Sequence, residues 1–168
     1  MFSLVAALDE ERGIGIGGEL PWRIKKDMAS FVERTRGDGN GAENAVLMGR
    51  KTWDSIPSRF RPLSGRKNIV LSRAANNVDG AVVADSWQSA LEAARSCRDV
   101  FVIGGSQIYQ AAIEMDECDA LYLTTVEGRY GCDVFFPEYE KNFQRASLSE
   151  PHEEGEYRFR FETWRRLR

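Results

Sequence analysis

Six short, mostly apolar runs, separated by glycines or by segments of helical periodicity, limit what this chain can fold into. They are Phe2–Leu8, Ala45–Met48, Asn68–Leu71, Ala81–Ala84, Val100–Ile103 and Ala120–Val126. Runs this short read as strands, and the near-continuous apolarity of Phe2–Leu8 is that of a strand buried on both faces. Without basic residues ahead of it, that run is a first strand rather than a signal peptide. Between the runs, Lys25–Arg36 reads as a helix, with Ile24, Met28, Phe31, Val32 and Thr35 at helical spacing. A short helix is expected near Thr52–Ile56, and longer ones over Ser86–Ser96, with Ser86 as N-cap, and Gln107–Met115. Gly37–Asn44 reads as a surface loop. Tyr157–Phe161 alternates apolar and polar, as in an antiparallel strand with one wet face. The fold class is therefore α/β: a mostly parallel central sheet with flanking helices and antiparallel C-terminal strands. At 168 residues, one domain over residues 1–168 is expected.

Bulk chemistry removes several function classes. The charged share of 29% and hydrophobic share of 42% suit a soluble globular protein. A net charge of -3 argues against general nucleic-acid binding. No stretch approaches the roughly 20 apolar residues of a membrane span. Cys97, Cys118 and Cys132 lack CxxC spacing, so core thiols in an intracellular compartment are expected, not disulfides or zinc. The lone histidine, His152, lies in a polar stretch and reads as an exposed loop residue. Neither a histidine-based triad nor a His-rich metal site is available.

Against the acidic total stands one basic zone. Gly49–Arg73 holds Arg50, Lys51, Arg59, Arg61, Arg66, Lys67 and Arg73 with one acid, Asp54. Cations at the ends of two strands suit a phosphorylated ligand, although a solvated charged face has the same composition. Gly49-Arg50-Lys51-Thr52 and Gly104-Gly105-Ser106 are both strand–glycine–helix junctions, able to grip phosphates or simply to turn the chain tightly. Ser72-Arg73 follows a third strand, where a cation suits a ribose 2′-phosphate better than a 2′-hydroxyl and favours NADP over NAD. Gly13-Ile14-Gly15-Ile16-Gly17-Gly18 satisfies GxGxxG, but Pro21 follows where a helix should run. It reads as a glycine-rich lid. Asp27 falls in the first helical turn, where the dipole welcomes an acid. It also borders the apolar face beside Phe31. There it could hold a protonated heterocycle or manage a proton.

Taken in order, these residues resemble dihydrofolate reductase from end to end. The matching blocks are Leu20-Pro21-Trp22 with Asp27 beyond, Met48-Gly49-Arg50-Lys51-Thr52-Trp53, Arg61-Pro62-Leu63-Ser64-Gly65-Arg66, Ile103-Gly104-Gly105-Ser106, Tyr122-Leu123-Thr124, and Asp133 with Phe135-Phe136-Pro137. The Ser55–Leu63 stretch and the long loop before Ala45 look like eukaryotic-type members. The resemblance implies NADPH-dependent reduction of 7,8-dihydrofolate to tetrahydrofolate in the cytoplasm, by a monomer that binds antifolates, with no metal. It implies a catalytic set of Asp27, Trp22, Thr124, Leu20 and Tyr109, with water near Asp27 and Trp22 protonating N5. It places substrate on Val5, Ala7, Asp27, Met28, Phe31, Ile56, Leu63, Arg66, Ile103 and Thr124, with Arg66 taking the glutamate α-carboxylate. It places the cofactor on Ala7, Ile14, Gly49, Arg50, Lys51, Thr52, Leu71, Ser72, Arg73, Ile103, Gly104, Gly105, Ser106, Gln107 and Tyr109. It further implies a cis peptide between Gly104 and Gly105, and hydrogen bonds from the lid backbone to Asp133. The chain departs from the family in its very glycine-rich lid, in Arg23, and in Arg129-Tyr130-Gly131-Cys132. Some relatives are fused to thymidylate synthase; no fusion is expected here. The competing readings are a riboflavin-pathway type of reductase, disfavoured by the Pro-Trp…Asp carboxylate, and a non-catalytic folate- or nucleotide-binding protein.

Overall fold

In a computed structural model, residues 1–74 and 77–168 are described. The first half of the chain forms β1 (Phe2–Leu8), β2 (Gly13–Gly15), α1 (Lys25–Arg36), β3 (Asn44–Gly49), α2 (Arg50–Ser55), a 3-10 turn (Ser58–Phe60), β4 (Arg66–Leu71) and β5 (Val82–Ala84). The second forms α3 (Trp87–Ala93), β6 (Val100–Gly104), α4 (Ser106–Ile113), β7 (Cys118–Val126), β8 (Val134–Phe135), β9 (Phe143–Leu148), β10 (His152–Glu154) and β11 (Tyr157–Arg166).

The central sheet runs β10-β11-β7-β1-β6-β3-β4-β5, with β9 also on β11. Strands β7, β1, β6, β3, β4 and β5 pair in parallel, while β11 pairs antiparallel with β7, β9 and β10. This is the expected α/β class. In such sheets ligands bind outside the carboxyl ends of the strands. Here those ends are Leu8, Gly49, Leu71 and Gly104. The core holds Leu4, Leu47, Ile69, Val102, Leu121 and Phe136, all sealed from solvent. Burial of each such side chain contributes about 1.5–3 kcal/mol. Among the described residues, no helix is long and apolar enough to cross a membrane.

Several elements differ from the sequence reading. β1 is not buried on both faces: Phe2, Leu4 and Leu8 face the core, while Val5, Ala6 and Ala7 are half-buried and line a cleft. The apolar outer face is kept for a ligand rather than a helix. His152 is not a loop residue but opens β10, stacked on Phe159 at 5.7 Å. Its short edge strand pairs only with the Tyr157–Phe159 end of β11. Asn44 belongs to β3, where its buried amide donates to Thr35 O (3.0 Å) and its side-chain oxygen accepts from Asp99 N (3.1 Å). α3 is capped as expected by Ser86, with Ser89 completing a capping box, but it ends at Ala93.

α1 starts without a side-chain cap of its own. Instead Glu154, across the β10–β11 hairpin, accepts from Lys25 N (2.7 Å) and Lys26 N (3.1 Å). Those backbone bonds hold its carboxyl below its ordinary value. A helix N-terminus needs such an acceptor, and its dipole favours an anion there. The tertiary cap fixes the turn that carries Asp27.

Candidate active site

A cleft of about 930 Å³ opens between α1 and the segment joining α2 to β4, floored by β1 and β7. It is lined by Val5, Ala7, Asp27, Met28, Phe31, Ile56, Leu63, Arg66, Ile103 and Thr124, together with Leu20 and Tyr109. Every residue that the resemblance assigns to substrate thus faces one cavity. Trp22 and Ile14 stand behind the lining, packed in neighbouring apolar clusters.

Sheet register brings the polar groups together. Thr124 on β7 lies beside Ala7 on β1, and its hydroxyl donates to Asp27 Oδ1 at 2.6 Å. Burial raises the Asp27 carboxyl above its ordinary value, and the Thr124 bond only partly offsets this. Tyr109 donates to the Val5 carbonyl at 2.6 Å, and burial, then the Asp27 charge, push its pKa upward. It is therefore a neutral phenol that fixes β1 against α4. The indole N–H of Trp22 is buried and finds no protein partner among the described residues.

Arg66 is 8% exposed. Its Nε donates to Ser64 O (2.9 Å) and its Nη1 to Thr35 Oγ1 (2.8 Å). No carboxylate lies within ion-pair distance of it among the described residues. Desolvation, then the neighbouring Arg36, lower its pKa. A buried cation without a counter-charge is costly, so the site favours an anion. α1 sets the spacing: Asp27 and Thr35 lie eight residues apart, about 12 Å at 1.5 Å per residue. Between them the apolar Phe31, Ile56 and Leu63 line the same cleft. The arrangement suits a flat, long molecule with a basic edge at one end and a carboxylate at the other.

A second cradle adjoins the first. β3 and β6 pair so that Met48 lies beside Gly104. The two strand–glycine–helix junctions, Gly49-Arg50 and Gly104-Gly105-Ser106, are therefore neighbours. Gly104 has φ 131° and a cis bond to Gly105. A Cβ there would sit 3.3 Å from Thr52 Oγ1 and 3.5 Å from Tyr109 Oη. Glycine leaves that space to a ligand, as a cofactor pressed against backbone requires. Leu71 ends the adjacent strand, β4, with Ser72 and the exposed Arg73 directly after it, and Gln107 is exposed in the first turn of α4.

The glycine-rich stretch opens no helix. β2 pairs with β8, and reciprocal Ile16–Glu19 backbone bonds of 2.9 and 3.0 Å close a turn at Gly17 (φ 57°) and Gly18 (φ 81°). Positive φ at both central residues is the requirement of a tight hairpin turn. Asp133 Oδ2 accepts from Gly17 N at 3.0 Å. A Cβ at Gly17 or Gly18 would meet no atom within 4 Å, so only backbone strain opposes alanine there. Replacing both is expected to destabilise the turn by about 1–2 kcal/mol per residue. Hydrogen exchange at the Gly15–Leu20 amides should accelerate in that variant, and in Asp133→Ala. Unchanged protection in both would show that the turn is held by other contacts.

Sequence reasoning did not anticipate Ser147–Ser149 or Glu162–Thr163 at the far side of the cleft. β9 carries one buried residue, Phe143, and so gives almost no periodic signal. Arg59, Phe60 and Pro62, also lining residues, lie in the polar segment beyond α2, where the basic composition and the matching block at Arg61–Arg66 pointed to function but assigned these three no contact.

An α/β sheet with a carboxylate-bearing cleft beside a glycine cradle is the arrangement of a small-molecule binding fold with room for a second, phosphorylated ligand. The chain belongs to the dihydrofolate reductase family, whose pattern matches residues 1–166. It is 40% identical to the dihydrofolate reductase of Heliothis virescens, over 83% of this chain and 80% of that protein. It is also 40% identical to the bifunctional dihydrofolate reductase-thymidylate synthase of Daucus carota, over 99% of this chain and 34% of that protein. The chain spans about a third of the length of the bifunctional relatives it matches.

Proposed function

We propose that residues 1–168 act as one domain that reduces 7,8-dihydrofolate to 5,6,7,8-tetrahydrofolate with NADPH. The observation that carries this reading is the pair Asp27 and Arg66, a half-buried carboxylate and a buried guanidinium without an ion-pair partner among the described residues, set about two helical turns apart in one apolar cleft. Family membership supports it, and with it a nicotinamide cofactor.

Asp27, steadied by Thr124, accepts hydrogen bonds from the amino group and ring N–H of the pterin. Burial raises its pKa, so the carboxylate holds a proton more readily than an exposed one and can share it with that ring. Trp22 holds the water that carries the proton to N5. Leu20 covers the opening and excludes bulk solvent. Met28, Phe31, Ile56 and Leu63 pack on the aminobenzoyl ring, and Arg66 takes the α-carboxylate through its fork. Val5, Ala7, Ile103 and Tyr109 shape the junction between substrate and nicotinamide. Ala7 and Ile14 offer backbone groups to the carboxamide. Gly49, Arg50, Lys51, Thr52, Leu71, Ser72, Arg73, Gly104, Gly105, Ser106 and Gln107 would hold the rest of NADPH. When bound, that cofactor supplies the hydride for C6. The chain would act as a monomer, and antifolates of the same shape would compete for the cleft.

The test is dihydrofolate-dependent oxidation of NADPH by the purified chain. Arg73→Ala is expected to weaken NADPH more than NADH and so narrow the preference between them. The effect should shrink at high salt, because Arg73 is exposed. An unchanged ratio would move the 2′-phosphate contact to Arg50 or Lys51.

A further inference from the structure

One buried acid has no part in the chemistry given above. Asp9, directly after β1, is 3% exposed and does not line the cleft. Among the described residues, no cation lies within ion-pair distance of it. A buried carboxylate without a counter-charge is costly unless hydrogen bonds satisfy both of its oxygens. Here they do. Oδ1 accepts from Glu11 N at 2.9 Å and from Gly13 N at 2.8 Å. Oδ2 accepts from Tyr130 N at 3.1 Å and from the Cys132 thiol at 3.7 Å.

The two oxygens serve different segments. The Oδ1 pair closes the turn from β1 into β2, a task that asparagine performs as well. The Oδ2 pair holds a segment 121 residues further along the chain. Donors on both sides require acceptors on both sides, which asparagine lacks and a carboxylate supplies. That segment is where the sequence departs from its family, at Arg129-Tyr130-Gly131-Cys132. The packing leaves no slack: a Cβ at Gly13 would lie 2.5 Å from Cys132 Cβ and 3.0 Å from Asp9 Oδ1.

Two arms lead from that segment to the cleft. The Tyr130 ring meets the Trp22 indole edge-on, at 5.4 Å and 73°. The indole N–H of Trp22, which finds no protein partner among the described residues, is the group assigned above to the proton-carrying water. Asp133, which follows Cys132, donates from its N–H to Gly15 O (2.9 Å) and accepts from Gly17 N (3.0 Å). One arm orients the indole and the other the lid, and the same carboxylate oxygen holds the root of both. We propose that Asp9 is a positioning residue for the reductase cleft: its carboxylate clamps the base of the lid to residues 130–133 and so sets both Trp22 and the lid. This rests on the reading of the cleft given above.

Asp9→Asn is the selective variant. With its oxygen toward Glu11 and Gly13, its amide nitrogen faces the Tyr130 N–H and the Cys132 thiol, donor against donor. The turn survives and the distant segment is released. The experiment measures kcat, KM and amide exchange for the native chain, Asp9→Asn, Asp133→Ala and the double variant, at a temperature where all are folded. Asp9→Asn should lower kcat about 10- to 100-fold, the cost of a small misplacement away from the chemistry. KM for dihydrofolate should change much less. Amides of residues 15–20 should exchange faster while the Gly13 amide keeps its protection. The Trp22 indole N–H resonance, assigned with Trp22→Phe, should shift in Asp9→Asn and stay in place in Asp133→Ala. The kcat losses of the two single variants should combine less than additively, because both act on the lid.

Native kcat and native lid protection in Asp9→Asn overturn the proposal, and so do fully additive losses. Loss of protection at Gly13 along with the lid would also overturn it, making Asp9 an anchor of the fold alone. If Asp9→Asn does not fold, Gly13→Ala takes its place. Its methyl drives Cys132 away while Asp9 remains, and the same signature is expected. If the native chain does not reduce dihydrofolate, the reading of the cleft falls, while exchange and the indole resonance still decide whether Asp9 holds these segments.

Discussion

Asp27→Asn is expected to lower dihydrofolate turnover about 10²–10⁴-fold at neutral pH, the range for loss of a positioned proton-handling group. The fold should survive, because the asparagine oxygen can still accept the 2.6 Å bond from Thr124. NADPH binding should survive too, since the glycine cradle is built at the ends of β3 and β6, and Asp27 lies on α1. Activity should recover partly in acid, where substrate arrives already protonated. Stability should move the other way. Burial raises the Asp27 pKa, so the charged carboxylate is tolerated less well in the folded chain than in the unfolded one. That penalty is absent below the unfolded carboxylate's range and grows as pH rises through the folded value. Asparagine never carries it. Asp27→Asn should therefore melt at a higher temperature than the native chain at neutral pH, with the difference closing in acid. Turnover within twofold of native at neutral pH would remove Asp27 from the chemistry. A lower Tm at neutral pH would show that the carboxylate is instead stabilised by its surroundings.

The sequence and the structure agree where burial and pattern coincide. The parallel strands were legible because their apolar runs are short and most have glycine at or near one end. α1 was legible because its apolar residues recur at helical spacing. Asp27 was legible as a pocket residue only because it borders that stripe. What was hidden depends on contacts remote in sequence. Nothing local in Lys25-Lys26 announces that Glu154 caps the helix. The half-open face of β1 looks the same in sequence as a buried one, since a ligand-facing valine and a core valine are the same residue. The glycines suggest a lid, but nothing local shows that Gly17-Gly18 form a hairpin turn, because the partner strand of β2, β8, has only two residues. β9 and β10 were hidden because edge strands with wet faces carry mostly polar residues.

Arg66→Lys is the second large effect, expected as a rise in KM for dihydrofolate with a much smaller change in kcat. The guanidinium is braced by Ser64 O through Nε and by Thr35 Oγ1 through Nη1, while Nη2 makes no hydrogen bond within the described protein. Bracing and ligand binding thus use different edges of one rigid plane, and a carboxylate can be met by two parallel N–H groups. Lysine keeps the charge but has a single rotatable ammonium, which cannot bond Ser64 and Thr35 and still present a fork. A hydrogen bond to a charged group is worth about 1.5–3 kcal/mol, so KM should rise by roughly 10- to 100-fold. The buried lysine would also lose the hydroxyl partner that now occupies Thr35, leaving that group to find another. A pteridine substrate without the glutamate tail separates the two consequences. Its kinetics should be nearly the same with arginine or lysine at this position, because it carries nothing for the fork to hold. Equal losses with both substrates would mean that Arg66 acts by holding α1 against β4, and that the carboxylate binds elsewhere in the cleft.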